Sequence, residues 1–118
     1  MAKRIQAIKE TAEELNAVLL VKGEIDVISD GKRIKLNYTG NSGMSVGGTG
    51  DVLSGIIGAL LAQKINAFEA AVAGAFVNGA AGDIVADEVG NHMIASDLLD
   101  WIPMVLNNPL GNLKGKMK

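Results

Sequence analysis

Between Asn41 and Gly55 the chain reads Asn-Ser-Gly-Met-Ser-Val-Gly-Gly-Thr-Gly-Asp-Val-Leu-Ser-Gly, and its capacity for chemistry is concentrated there. Glycines at 47, 48 and 50 permit positive φ and let a ligand approach the backbone without meeting side chains. Apolar residues at helical spacing follow at once, at Val52, Leu53, Ile56, Ile57, Leu60 and Leu61. A helix starting here leaves its first amide N–H groups unpaired and carries a partial positive charge at that end. Loop and helix end together make an anion hole suited to a phosphoryl group or its transition state. Asp51 falls in the first helical turn, beside that hole. A carboxylate there can accept the proton of a hydroxyl attacking a phosphate. It also complements the helix dipole, an effect worth only ~0.3–1 kcal/mol.

Two better-known phosphate loops do not fit. A P-loop requires Lys and then Ser or Thr after its last glycine, whereas Gly48 is followed by Thr49 with no lysine. The dinucleotide fingerprint needs a third glycine where this chain has Leu53, and a strand immediately before. The remaining polar candidates have plainer readings. His92 follows Gly90-Asn91 and reads as a solvated loop residue. Asp83, Asp87 and Glu88 could hold a cation but read more simply as an exposed helix end, so no metal site is assigned. Lys22 is either a strand-end lysine in water or a nucleotide contact. Trp101, among Leu98, Leu99 and Ile102, reads as core.

Composition narrows the partners. Aromatic residues are scarce, with Tyr38, Phe68, Phe76 and Trp101 the full set, and the net charge is −2. Basic residues gather near the two ends and form no central stripe, so nucleic acid is not expected. Cysteine is absent, which excludes disulfides and thiolate metal sites and weakly favours a cytoplasmic location. The charged amino terminus does not resemble a signal peptide. The longest apolar run, Ala70 to Val77, is far too short to span a bilayer, so no membrane partner is expected.

The elements that must position the loop can be read in order. Residues 3 to 15 place Ile5, Ile8, Ala12 and Leu15 at helical spacing between charges. Ala17 to Val21 reads as a short buried strand ending at Lys22-Gly23. Ile25 to Ser29 reads as a second strand, Asp30-Gly31 as a hairpin turn, and Arg33 to Asn37 as its half-exposed partner. Residues 38 to 48 are loop by composition. One helix runs from Thr49 to Gln63, and a second from Ala67 to about Val89, apolar on most faces. Gly74, Gly79 and Gly82 inside that second helix each cost about 1 kcal/mol relative to alanine, which predicts very close packing against its backbone. Ser96 is expected to cap a last helix through Leu106, stopped by Asn107, Asn108 and Pro109. The expectation is therefore an α/β fold with three strands, including a hairpin, and about four helices. Three strands cannot cover helices this apolar, so an unmatched apolar surface is expected, filled by further chain, a partner or self-association.

Val21-Lys22-Gly23, Asn41-Ser42-Gly43-Met44 and Gly47-Gly48-Thr49-Gly50-Asp51-Val52-Leu53 together resemble the carboxy-terminal half of the ADP-dependent NAD(P)H-hydrate dehydratases, members of the ribokinase-like (carbohydrate kinase) superfamily. Asn78-Gly79-Ala80-Ala81-Gly82-Asp83 and Ile94-Ala95-Ser96-Asp97-Leu98 resemble that family's closing helices. The glycine–aspartate loop alone points to the superfamily; the ordered set, from about Leu19 to Pro103, points to the dehydratases. The resemblance implies that residues 1–118 form the carboxy-terminal part of one ribokinase-like three-layer domain. The family's amino-terminal half, with its Pro-His-Pro-Gly-Glu segment, is not among them.

The resemblance also implies roles. Asp51 is the catalytic-position aspartate, acting on the substrate hydroxyl. The backbone of Gly48, Thr49 and Gly50 forms the anion hole, with Gly50 touching the nucleotide. Lys22, Gly23, Glu24, Ile25 and Asp26 line the adenine-nucleotide site, and Asn41 and Gly43 belong to the binding loop. The implied reaction removes water from hydrated NADH or NADPH, using ADP (or ATP) with Mg2+ to phosphorylate the hydroxyl before phosphate is lost. Asp26 stands where relatives often have Thr, and Asn78 where a histidine is common. Two other functions share the same loop: a small-molecule kinase for a sugar or hydroxymethylpyrimidine, and a non-catalytic nucleotide-binding module. Expected partners are an adenine nucleotide, the hydrated cofactor, and either the missing half or further copies of the chain.

Overall fold

A computed structural model describes residues 1–109 of the chain. Helix α1 (Ala2–Leu15) leads into strands β1 (Leu19–Val21), β2 (Asp26–Ser29) and β3 (Ile34–Asn37). A 3-10 turn at Ser42–Met44 precedes helices α2 (Thr49–Ala62) and α3 (Ala67–Val89). A second 3-10 turn, Ala95–Leu98, then precedes the short helix α4 (Ile102–Asn107).

The sheet has order β1-β2-β3 and is antiparallel throughout, with Leu20 opposite Ile28 and Val27 opposite Leu36. All of β2 is buried. Alternation along the strand sends Ile28 to one face, where it packs with Phe68, Ala71 and Ala75 of α3. Val27 and Ser29 turn to the other face, where α1 contributes its buried residues Ile8 and Ala12. Helix α1 stops at Asn16, which takes the left-handed conformation (φ 50°, ψ 50°) that asparagine tolerates at a helix end. The β2–β3 turn is held by Asp30, whose Oδ1 accepts from the Lys32 N–H (2.9 Å) and the Arg33 N–H (2.6 Å). These two donors hold the Asp30 carboxyl at a pKa of about 2. Gly31 has φ +95°, and a Cβ there would come within 2.8 Å of the Glu13 backbone, so the turn can sit against α1 only as glycine.

Helices α2 and α3 form an antiparallel hairpin, and Asn66 opens α3 by accepting from the Phe68 N–H at 2.9 Å. The close packing predicted from the α3 glycines is present. Ile57 of α2 lies over Gly74, Thr39 over Gly79, and Met44 over Gly82. Beyond them Val77, Ala80, Ala81, Ile84 and Val85 join Met93, Leu98 and Val105 in a second apolar cluster. At 23 residues α3 is long and apolar enough to cross a membrane, yet 67% of its most apolar window is buried inside the fold, as in a core helix.

Three expectations need correction. The strand expected from Ala17 starts at Leu19 and is only half-buried, because β1 is an edge strand with β2 as its one neighbour among the described residues. The closing helix is two pieces. Ser96 lies inside the second 3-10 turn, and Asp97, not Ser96, accepts the entering N–H, that of Ile94, at 2.9 Å. Asp83, expected as part of an exposed helix end, is instead half-buried in α3 and accepts from the Gly40 backbone and the Asn41 side chain. The expected unmatched apolar surface is present. Helix α3 borders an open cleft with Phe68, Val72 and Phe76, and α2 buries only Leu53 and has Asp51 as its sole charge. Leu99, Met104 and Leu106 are exposed around α4.

Candidate functional site

The binding loop is pinned from below by α3 and by the sheet. Asn37, at the buried end of β3, donates from Nδ2 to Asp26 Oδ2 (2.9 Å) and to the Ala75 carbonyl on α3 (3.2 Å). Thr39 donates to the Phe76 carbonyl at 3.1 Å. The Gly40 N–H donates to Asp83 Oδ2 at 3.1 Å, and Asn41 Nδ2 donates to both Asp83 Oδ1 and the Gly82 carbonyl at 3.0 Å. Asn41 Oδ1 in turn accepts from the Gly43 N–H at 3.0 Å, which starts the 3-10 turn. Thr49 closes the loop by donating its hydroxyl to the Met44 carbonyl at 2.8 Å. Each bond fixes one backbone step of a segment that has no ladder of its own.

Above this support lies a cleft of about 1090 Å³. The β1–β2 connection gives it Lys22, Gly23, Glu24 and Ile25. The segment after β3 gives Tyr38, Thr39, Gly40, Asn41, Ser42, Met44 and Ser45, and the start of α2 gives Thr49 and Gly50. The sequence candidates Lys22, Gly23, Glu24, Ile25, Asn41, Thr49 and Gly50 thus share one cavity. Asp26, Gly43, Gly48 and Asp51 stand behind or beside it. Asp26 is 1% exposed, and its carboxylate is occupied by Lys22 Nζ (3.0 Å), the Gly23 N–H (3.2 Å) and Asn37. It therefore shapes the Lys22–Gly23 turn from beneath. Gly43 is buried, and a Cβ there would press on Asn91 and Met93.

At the anion-hole end, Gly48 takes φ +101° as the residue before α2, and a Cβ on it would come within 2.8 Å of the Ala95 side chain. Glycine is required there twice over, by conformation and by space. Gly47 and Gly50 differ. Their φ values are ordinary, and a Cβ on either would meet nothing within 4 Å. They leave the helix end open to a ligand. The Val52 N–H is the first to find a helical acceptor, Gly48 O at 3.1 Å, so the amides before it point out of the helix start. Asp51 is exposed in that first turn, one residue beyond Gly50. The arrangement can hold a phosphoryl group on backbone donors with a solvated carboxylate alongside.

Sequence reasoning missed the support. The inward-facing polar pair Asn37 and Thr39 was a usable local signal, being polar at positions where alternation requires burial. Asp83 reads in sequence as an exposed helix end, because its partners lie more than 40 residues away. His92 is exposed and Trp101 packs on the second cluster, both as expected. Among the described residues no three His, Cys, Asp or Glu side chains are placed to hold a metal ion. A second cleft of about 780 Å³, between β3, α3 and α4, is walled mainly by apolar residues such as Phe68, Val72, Phe76 and Val105.

The family model described as NAD(P)H-hydrate dehydratase matches residues 1–104. A bifunctional NAD(P)H-hydrate repair enzyme from Pyrobaculum aerophilum is 48% identical over 106 residues, which cover 90% of this chain and 21% of that one. The crystal structure of the ADP/ATP-dependent NAD(P)H-hydrate dehydratase from Bacillus subtilis, co-crystallised with ATP/Mg2+, superposes with a TM-score of 0.83 at 33% identity. That superposition covers 90% of this chain and 39% of the Bacillus chain. A hydroxyethylthiazole kinase from Pyrococcus horikoshii superposes with a TM-score of 0.77 at 26% identity, over 86% of this chain and 40% of the kinase. The chain thus spans about a fifth of the length of the bifunctional relative and two fifths of the solved neighbours.

Proposed function

The chain belongs to the NAD(P)H-hydrate dehydratase family, and from that premise we propose that it carries the nucleotide and catalytic loop of an ADP-dependent enzyme that repairs hydrated NADH or NADPH. The observation that carries the proposal is the open helix start, with Thr49 and Gly50 in the wall of a cleft and Asp51 next in the chain. The terminal phosphate of the nucleotide sits on the free amides of Thr49 and Gly50. The Lys22–Ile25 turn forms the facing wall, braced by Asp26. Asp51 takes the proton from the substrate hydroxyl as its oxygen attacks that phosphorus, and the bond to the leaving nucleotide phosphate breaks. Phosphate then departs with the carbon–oxygen bonding pair, a neighbouring ring carbon gives up its proton, and the nicotinamide double bond is restored. Water has been removed in sum, with ADP converted to AMP and phosphate.

Mg2+ fits this reading in a limited way. The described residues offer no three-ligand cage, so the ion would be held chiefly by the nucleotide's own phosphates, with Asp51 the available carboxylate. When bound, it neutralises charge on the phosphoryl oxygens. The kinase neighbour shares the scaffold, so the fold alone does not choose between dehydratase and small-molecule kinase; the family match and the ordered motifs support the dehydratase reading. We further propose that the cleft is completed by polypeptide outside this chain, in keeping with the share of the relatives it spans.

The test is ADP-dependent recovery of NADH absorbance from hydrated NADH, run beside a panel of alcohols with ATP. The assay uses this chain alone and together with a polypeptide supplying the remaining length of the dehydratase relatives. Recovery in the combined sample supports the dehydratase. Phosphorylation of an alcohol with no recovery would transfer the assignment to the kinases.

A further inference from the structure

We infer that the Tyr38 ring is the platform on which the planar base of the bound nucleotide stacks, an inference that rests on nucleotide binding in the cleft proposed above. Tyr38 is the chain's single tyrosine and is 52% exposed, whereas Phe68 is buried and Phe76 and Trp101 are half-buried. Its backbone is fixed on both sides: Asn37 is bonded to the Ala75 carbonyl and Thr39 to the Phe76 carbonyl, both on α3. The ring therefore projects from a rigid point while keeping a free face. It lines the nucleotide cleft and also the apolar cleft beside β3, so it forms part of the partition between them.

The position along the cleft selects the base. Phosphate is bound where backbone donors are free, at Thr49 and Gly50, and the same cleft is lined by Tyr38, Gly40 and Asn41. Among the residues that line the cleft, Tyr38 alone offers an aromatic face. Stacking on such a face tolerates any flat base and needs no hydrogen-bond partner from the protein. The phenol hydroxyl makes no hydrogen bond among the described residues.

Calorimetric titration of the wild type, Tyr38→Ala, Tyr38→Leu and Tyr38→Phe with ADP, and separately with inorganic pyrophosphate, tests the inference. Pyrophosphate carries the phosphates without the base. ADP affinity is expected to fall at least about fivefold in Tyr38→Ala and to be kept in Tyr38→Phe, while pyrophosphate binding is unchanged in every variant. Tyr38→Leu keeps apolar bulk without the π face and is expected to lose ADP affinity while melting like wild type. Unchanged ADP affinity in Tyr38→Ala or Tyr38→Leu, with wild-type binding intact, would overturn the stacking role alone. A parallel loss of ADP and pyrophosphate in a normally folded Tyr38→Leu would overturn it too, by showing a general effect on the cleft. A wild type that binds neither ligand would overturn the nucleotide reading itself, and this inference with it.

Discussion

Asp51 and Asp26 are both aspartates of one sequence-defined site, and the structure separates their work. Asp51 is exposed and solvated at the start of α2, free to act on a ligand; Asp26 is buried and spends its two oxygens on Lys22, Gly23 and Asn37. Asp51→Asn keeps size and hydrogen-bonding reach but removes the base. It is expected to melt like wild type and bind ADP as well, while turnover of hydrated NADH in the complemented enzyme falls by about 10²–10⁴. Steady-state rates beside a nucleotide titration check this, and near-normal turnover would assign the proton transfer elsewhere. What could be read at this scale was what is local. Gly48, Thr49, Gly50 and Asp51 act through their own backbone and through a helix that starts on the spot. Asn37, Thr39 and Asp83 act on partners about 40 residues distant, and no local pattern encodes such a bond.

The elements were legible where periodicity is strong. The approximate reading of α3, from Ala67 to about Val89, agrees with the observed helix because its apolar run is long. The closing helix was read wrongly because Ser96 and Asp97 both suit a helix start, and the chain used the second in a short 3-10 turn. The α3 glycines allow a graded prediction. A methyl at Gly79 would run into the backbone of Thr39, itself bonded to Phe76; a methyl at Gly82 would meet the flexible Met44 side chain. Gly79→Ala should therefore cost about 1–3 kcal/mol and Gly82→Ala distinctly less, measured by chemical denaturation. Equal costs would mean that the loop yields as easily as a methionine. The hairpin offers a pH test. Asp30 is held at about 2, below its ordinary 3.8, so its contribution to stability is present above the ordinary value and is lost as pH falls through the folded one. Carboxyl chemical shifts should titrate Asp30 near 2 in the folded protein; a midpoint near 4 would show that the turn bonds to Lys32 and Arg33 do not persist.

At the scale of the whole molecule, the surface of α2 decides how the chain behaves. Leu61 is 45% exposed, Gly55 and Gly58 face open space, and only Leu53 is buried, on a helix with a single charge. The expected imbalance between apolar helices and a small sheet is visible in the open apolar cleft at Phe68, Val72 and Phe76 and in the exposed apolar residues of α2 and α4. Contiguous apolar patches beyond a few hundred Å² mark association surfaces. The isolated chain should therefore sediment as an oligomer, or bind polypeptide supplying the rest of the relatives' length, and should dehydrate hydrated NADH negligibly by itself. A monomer with full turnover would show that the chain needs no complement. The central claim is narrower, namely that the Gly47–Asp51 loop binds a nucleotide, and thermal melting with ADP tests it most directly. At a hundred times its dissociation constant ADP should stabilise the fold by about 2.7 kcal/mol, raising the melting temperature of wild type and Asp51→Asn alike. A folded, cooperatively melting protein whose transition does not move at saturating ADP would contradict the account.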